Sequence, residues 1–134
     1  MIVSLASKTD LEILNNLDKH IDKEELINSI SLKRIYVCKV KKTIIGWLRY
    51  NLFWDNTPFM NMLYILDSYR NKGYGKLLVE TFEKDMKNFG YNKVMTSTLE
   101  EEEAKDFYYH LGYFKVGGFS PSKDEYELIL EKEL

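Results

Sequence analysis

The chain has 134 residues, 45% hydrophobic and 14% aromatic, with 19 basic and 21 acidic side chains and a formal net charge of -2. That length suits one domain, residues 1–134, with a substantial core, and the apolar content excludes a disordered chain. The charge balance lacks the basic excess of a nucleic-acid binder, and the single cysteine, Cys38, excludes an intramolecular disulfide and any cysteine-based metal motif.

The opening "MIVSLASKTD" has no basic region leading into a long apolar one. No apolar run approaches the roughly 20 residues that span a bilayer. A soluble cytoplasmic protein without a membrane partner is expected. Residues 2–6 read as a short strand. Thr9 and Glu12 have capping-box spacing, which predicts a helix from near Asp10 with Leu11, Leu14, Leu17 and Ile21 as its apolar stripe. A second short helix is expected after Asp22, burying Leu26, Ile27 and Ile30.

From Lys33 the texture becomes β-branched and aromatic. "RIYVCKV", "KTIIGWLRYNLFW" and "FMNMLYIL" are separated by "KVKK" and by the turn-like "DNTP", and they predict a three-strand antiparallel meander. Alternation in the second run sends Trp47, Arg49, Asn51 and Phe53 to one face and Leu48, Tyr50, Leu52 and Trp54 to the other. A helix should follow Gly75, with Leu78, Phe82, Met86 and Phe89 at helical spacing and Gly90 as its C-terminal cap. "YNKVMTSTL" reads as a strand. Thr98 and Glu101 suggest a second capping box, before a helix with Ala104, Phe107, Tyr108 and Leu111 on one side and Gly112 at its end. "YFKVGGF" and "EYELIL" read as a closing hairpin. The order is β-α-α-β-β-β-α-β-α-β-β, an α/β (α+β) chain with a mixed, mostly antiparallel sheet of about six to seven strands and about four helices. The strands on either side of the third helix should be parallel neighbours.

The glycine turn carries the chemistry. Arg70, Asn71, Lys72, Gly73, Tyr74, Gly75 and Lys76 lie between a strand and a helix. A helix N-terminus presents unpaired N–H groups and partial positive charge, and glycine lets an anion approach the backbone. A phosphate is the natural guest. A nucleoside-triphosphate loop does not fit, because Leu77 follows Lys76 where a hydroxyl residue is needed. A dinucleotide fingerprint does not fit either, because Leu78 stands where its third glycine belongs.

Residues 70–75 resemble the Arg/Gln-x-x-Gly-x-Gly/Ala signature of the GNAT superfamily of N-acyltransferases. "AKDFYYHLGYFKV" is similar to the family's Ala-x-x-Phe-Tyr element, and the element order resembles the family's fold along nearly the whole chain. Two positions depart from the pattern: Asp67, where many members have proline, and Glu101, where many have asparagine.

The resemblance implies an N-acetyltransferase that uses acetyl-CoA, without a metal, on a small-molecule or peptide amine, and that often forms a homodimer. It implies that residues 70–76 hold the pyrophosphate. It also implies that the pantetheine arm pairs with the backbone of Leu63, Tyr64, Ile65 and Leu66, where an N–H of Tyr64, Ile65 or Leu66 meets the thioester oxygen. Tyr108 is implied as the general acid, with Tyr109 as the alternative. Asp55 is a candidate base set against its plain reading as a turn aspartate, and Arg49 and Tyr50 are candidates for the acceptor cleft. His20 and His110 read as surface residues. Two other readings stay open: a non-catalytic acyl-CoA-binding regulator, and an interaction domain without cofactor.

Overall fold

The computed structural model describes residues 2–134. The strands are β1 (Ile2–Leu5), β2 (Ile35–Val40), β3 (Thr43–Phe53), β4 (Thr57–Ile65), β5 (Lys93–Leu99), β6 (Phe114–Phe119) and β7 (Glu127–Glu133). The α-helices are α1 (Leu11–Leu17), α2 (Lys23–Ser31), α3 (Tyr74–Asn88) and α4 (Ala104–His110). The sheet order is β1-β2-β3-β4-β5-β7-β6. β4 and β5 are parallel, with Phe59 opposite Met95 and Met60 opposite Thr96. The β1–β2, β2–β3, β5–β7 and β6–β7 pairs are antiparallel. The expected element order, the strand count and the parallel crossover therefore stand.

The chain divides into two compact units. One holds residues up to Asn51 together with Met62–Phe82. Its core joins Ala6, Leu14, Leu26 and Ile30 to Ile35, Val37 and Trp47 of the sheet. Alternation puts Tyr36 and Tyr50 on the opposite face, where their ring centroids lie 6.4 and 5.1 Å from that of Phe82. Lys41 and Lys42, at φ 51° and 67°, form the two-residue turn from β2 to β3, so this hairpin forms without glycine.

The other unit holds Leu52–Asn61 and Glu83–Leu134. β7 lies between β5 and β6, and Glu83 accepts from the Tyr113 hydroxyl at 2.8 Å and from Lys132 Nζ at 3.0 Å. Gly90 and Gly112, at φ 98° and 97°, close α3 and α4 as expected. After Gly90, the Tyr91 N–H reaches back to the Met86 carbonyl at 3.1 Å.

Several local expectations are corrected. Residues 8–10 form a 3-10 turn, and the Ser7 N–H donates to Asp10 Oδ2 at 2.9 Å, so the first box uses Ser7 and Asp10 rather than Thr9 and Glu12. Asp10 wins because Lys39 pairs with it at 2.9 Å. Thr98 and Glu101 form no box: Thr98 lies inside β5, and α4 begins at Ala104 after a turn. Ile27 and Phe89 face outward, 42% and 66% exposed: Ile27 lies outside the narrow stripe that α2 buries, and Phe89 falls just past the end of α3.

Candidate active site

The first unit brings three features together around β4. The first is the glycine turn. Asn71 and Gly73 take φ 61° and 88°, and the first α3 hydrogen bond of the ladder runs from the Leu77 N–H to the Gly73 carbonyl at 3.1 Å. The N–H groups of residues 73–76 are thus the ones a helix leaves unpaired at its start. A Cβ on Gly73 would meet nothing within 4 Å, so the space over the turn is open. Arg70 is placed differently from a free phosphate ligand. Its Nε donates to the Ile65 carbonyl at 2.8 Å, its Nη1 lies 3.1 Å from Asp67, and its guanidinium stands 5.0 Å from the Tyr64 ring. Arg70 thereby fastens the turn to the end of β4. Lys72 sits 5.7 Å over the Tyr69 ring, and Lys76 is exposed.

The second feature is the end of β4 itself. The Leu66 N–H donates to the Ile45 carbonyl at 2.8 Å. Strand alternation turns the Tyr64 N–H to that same side and the Ile65 N–H to the other. Gly46 of β3 makes the approach possible, since a Cβ there would lie 2.9 Å from the Tyr64 carbonyl oxygen. A glycine inside a strand marks such a close approach, and that signal stood in "IIGW".

The third feature is a cleft of about 280 Å³ lined by residues 17–20 and by Trp47, Met62, Tyr64 and Leu66. Its floor is Asp18, only 2% exposed. Asp18 accepts from Arg49 Nε at 2.7 Å, from Trp47 Nε1 at 3.1 Å and from the His20 N–H at 3.1 Å. Burial pushes the Asp18 carboxyl up, but these hydrogen bonds and the Arg49 charge prevail and hold it below its ordinary value. Arg49 also donates through Nη2 to the His20 carbonyl at 3.4 Å. Of the two cleft candidates from the sequence, Arg49 sits beneath the floor, while Tyr50 turns to the other face, stacks on Tyr36 and meets the Phe82 ring at a tilt. The joining of Asp18 to Trp47 and Arg49 was missed, because partners 29 or more residues apart leave no local pattern.

In the second unit, Tyr108 is 6% exposed. Its ring meets Phe107 and Tyr113 edge-on at 5.2 and 5.5 Å. Burial pushes its phenol up to about 12, against a hydrogen bond with Thr96 that pulls the other way. Thr96 in turn donates to the Met60 carbonyl at 3.1 Å. Two residues on, with its side chain on the same face of β5, the buried Thr98 hydroxyl has no hydrogen-bond partner among the described residues. Tyr109 is exposed, as is Asp55, which occupies the β3–β4 turn at φ 64°. The His110 ring bonds the Asp106 carbonyl on its own helix. Among the described residues no group of three or more His, Cys, Asp or Glu is placed to hold a metal ion, and no helix is long and apolar enough to cross a membrane.

The model of the acetyltransferase (GNAT) family matches residues 6–113. In fold the chain is similar to an acetyltransferase of the GNAT family from Bacillus cereus ATCC 10987, at 21% identity and TM-score 0.78, over 98% of this chain and 96% of that one. It is similar to the PaiA N-acetyltransferase of Thermoplasma acidophilum, solved with coenzyme A, at 21% identity and TM-score 0.79, over 99% and 98% of the two chains. It is also similar to the ribosomal-protein-S18-alanine N-acetyltransferase of Escherichia coli, at 14% identity and TM-score 0.82, over 98% and 92%. No curated protein matches it in sequence.

Proposed function

The chain belongs to the GNAT acetyltransferase family, and on that premise we propose that it moves the acetyl group of acetyl-CoA to a primary amine of a small molecule or peptide by direct attack in a ternary complex. The observation that carries this reading is the open turn at the start of α3, where Asn71 and Gly73 hold positive φ and the N–H groups of residues 73–76 converge.

Residues 70–76 bind the pyrophosphate, with Lys72 and Lys76 as the cations and Arg70 as the brace. The backbone of residues 63–66 pairs with the pantetheine arm. The Leu66 N–H is already taken by Ile45, so the Ile65 N–H, turned away from β3, is the donor to the thioester oxygen. Tyr108 donates its proton to the departing sulfur, and a phenol held near 12 remains protonated at neutral pH. The residues of the turn fit an acyl-CoA, since there is room over Gly73 for its pyrophosphate. We assign residues 1–134 to one domain, place the protein in the cytoplasm where acetyl-CoA is made and used, and take a homodimer as its assembly.

Isothermal titration with acetyl-CoA, free CoA and ADP tests the reading. Saturable one-to-one binding of all three, weakest for ADP, is the expected result. No binding by any of them refutes it.

A further inference from the structure

We propose that the cleft over Asp18 takes an acceptor amine carried on a compact apolar body with a single positive charge, and that His20 removes the proton from that amine. This rests on the acetyl-transfer reading above.

The walls decide the class. Leu17, Trp47, Met62, Tyr64 and Leu66 present apolar and aromatic surface, and the Trp47 and Tyr64 rings stand 5.1 Å apart. The volume of about 280 Å³ falls just under the roughly 300–1,000 Å³ of sites for drug-sized ligands. It suits one side chain beside an amine rather than a multi-ring antibiotic. The charge points the same way. Asp18 is the only carboxylate among the lining residues, and Arg49, Trp47 and the His20 N–H already occupy it. Lys19 adds a positive charge at the rim. A polyamine or aminoglycoside would bring several ammonium groups to a cleft with no free anion to receive them. Because Tyr64 and Leu66 line this cleft and also belong to the strand end assigned to the thioester, an amine bound here lies beside the reacting carbonyl.

His20 lines the same cleft and is exposed on its loop. Its backbone is held on both sides by the buried ion pair, N–H to Asp18 and carbonyl to Arg49. That clamp gives an imidazole on a short interhelical loop a fixed perch. Histidine is the residue type suited to taking a proton near neutral pH. In the step, His20 accepts one proton of the ammonium and passes it to water. The freed lone pair forms the C–N bond, the C–S bond breaks, and the thiolate takes the Tyr108 proton. The second proton leaving nitrogen restores the phenol.

The test measures initial rates at saturating acetyl-CoA with leucinamide, phenylalaninamide and a Met-Leu dipeptide, against spermidine and kanamycin. We expect kcat/KM at least ten-fold higher for the apolar amines. Met62→Glu, which adds a free carboxylate to the wall, should close that gap at least ten-fold. His20→Ala should lower kcat about a hundred-fold or more, with acetyl-CoA affinity unchanged and part of the rate restored by added imidazole. Preference for the polycations, or a His20→Ala enzyme as fast as the parent, overturns the inference. Turnover of neither group with acetyl-CoA still bound overturns it and leaves the cofactor reading standing; loss of acetyl-CoA binding removes both.

Discussion

At the scale of single residues, the packing of Tyr108 supports the role proposed for it from its motif position. A tyrosine on a buried helix face is ordinarily core filler. Tyr108 differs because its hydroxyl meets another buried hydroxyl, that of Thr96, instead of solvent. Tyr113 holds the ring from the side and is itself anchored on Glu83. The adjacent Tyr109 lacks this burial, which supports Tyr108 over it as the proposed donor. Tyr108→Phe removes the oxygen and keeps the packing. It should lower kcat between about ten-fold and ten-thousand-fold while acetyl-CoA affinity stays within a few-fold. With the phenol near 12, the parent enzyme should show no loss of kcat from this group below about pH 11. Steady-state rates and a titration of the variant check both statements. An unchanged rate would take Tyr108 out of the chemistry, whereas acetyl-CoA binding without turnover of any amine by the parent would favour the acyl-CoA-binding regulator.

At the scale of elements, β3 and β4 depend on Gly46. A Cβ there would stand 2.5 Å from Ile65 Cδ1 and 2.9 Å from the Tyr64 carbonyl oxygen. The side-chain methyl can rotate aside, but the carbonyl cannot move without shifting β4 at the residues assigned to the thioester. Gly46→Ala should therefore cost about 1–3 kcal/mol, a fall in Tm of at least about 3 °C, and weaken acetyl-CoA binding as well. A melting curve and a titration that both match the parent would show that β4 does not need this approach. Elements of this kind mark the limit of what the sequence discloses. The strand–turn–helix at residues 63–76, the glycine caps and the element order were legible because each is written in neighbouring residues. The capping boxes were misread because Ser, Thr, Asp and Glu at the right spacing occur by chance, and tertiary partners choose among them: Lys39 draws Asp10, while β5 claims Thr98. The cleft floor was illegible because Asp18 joins Trp47 and Arg49 from a distant strand. Arg70 was legible as a residue but not as a brace, since its partners Ile65 and Tyr64 are defined only once the turn has closed.

At the scale of the whole molecule, two carboxylates link folding to pH. Asp10 and Asp18 are both buried and both held below the ordinary value of 3.8: Asp10 by the Ser7 N–H and Lys39, Asp18 by Arg49, the His20 N–H and Trp47, in each case against the opposing pull of burial. A depressed pKa in the fold means that the unfolded chain binds these protons first as pH falls. Their stabilisation is complete above the unfolded value and is lost as pH drops from about 4 through the folded values. Melting temperature from these groups should thus be level between pH 5 and 7 and fall below about pH 4. Asp18→Asn should start lower at pH 7, because Arg49 keeps a buried charge without its partner, a loss of about 3 kcal/mol or more. Its melting temperature should then fall less steeply on acidification, since one of the two titrating groups is gone. If that variant is too unstable to melt cleanly, Asp10→Asn gives the same comparison with a partly exposed partner in Lys39. Parallel Tm–pH curves for parent and variants would mean that neither carboxylate senses acid. A shallower curve for Asp18→Asn would show that the ion pair that holds the His20 backbone is also one that senses acid.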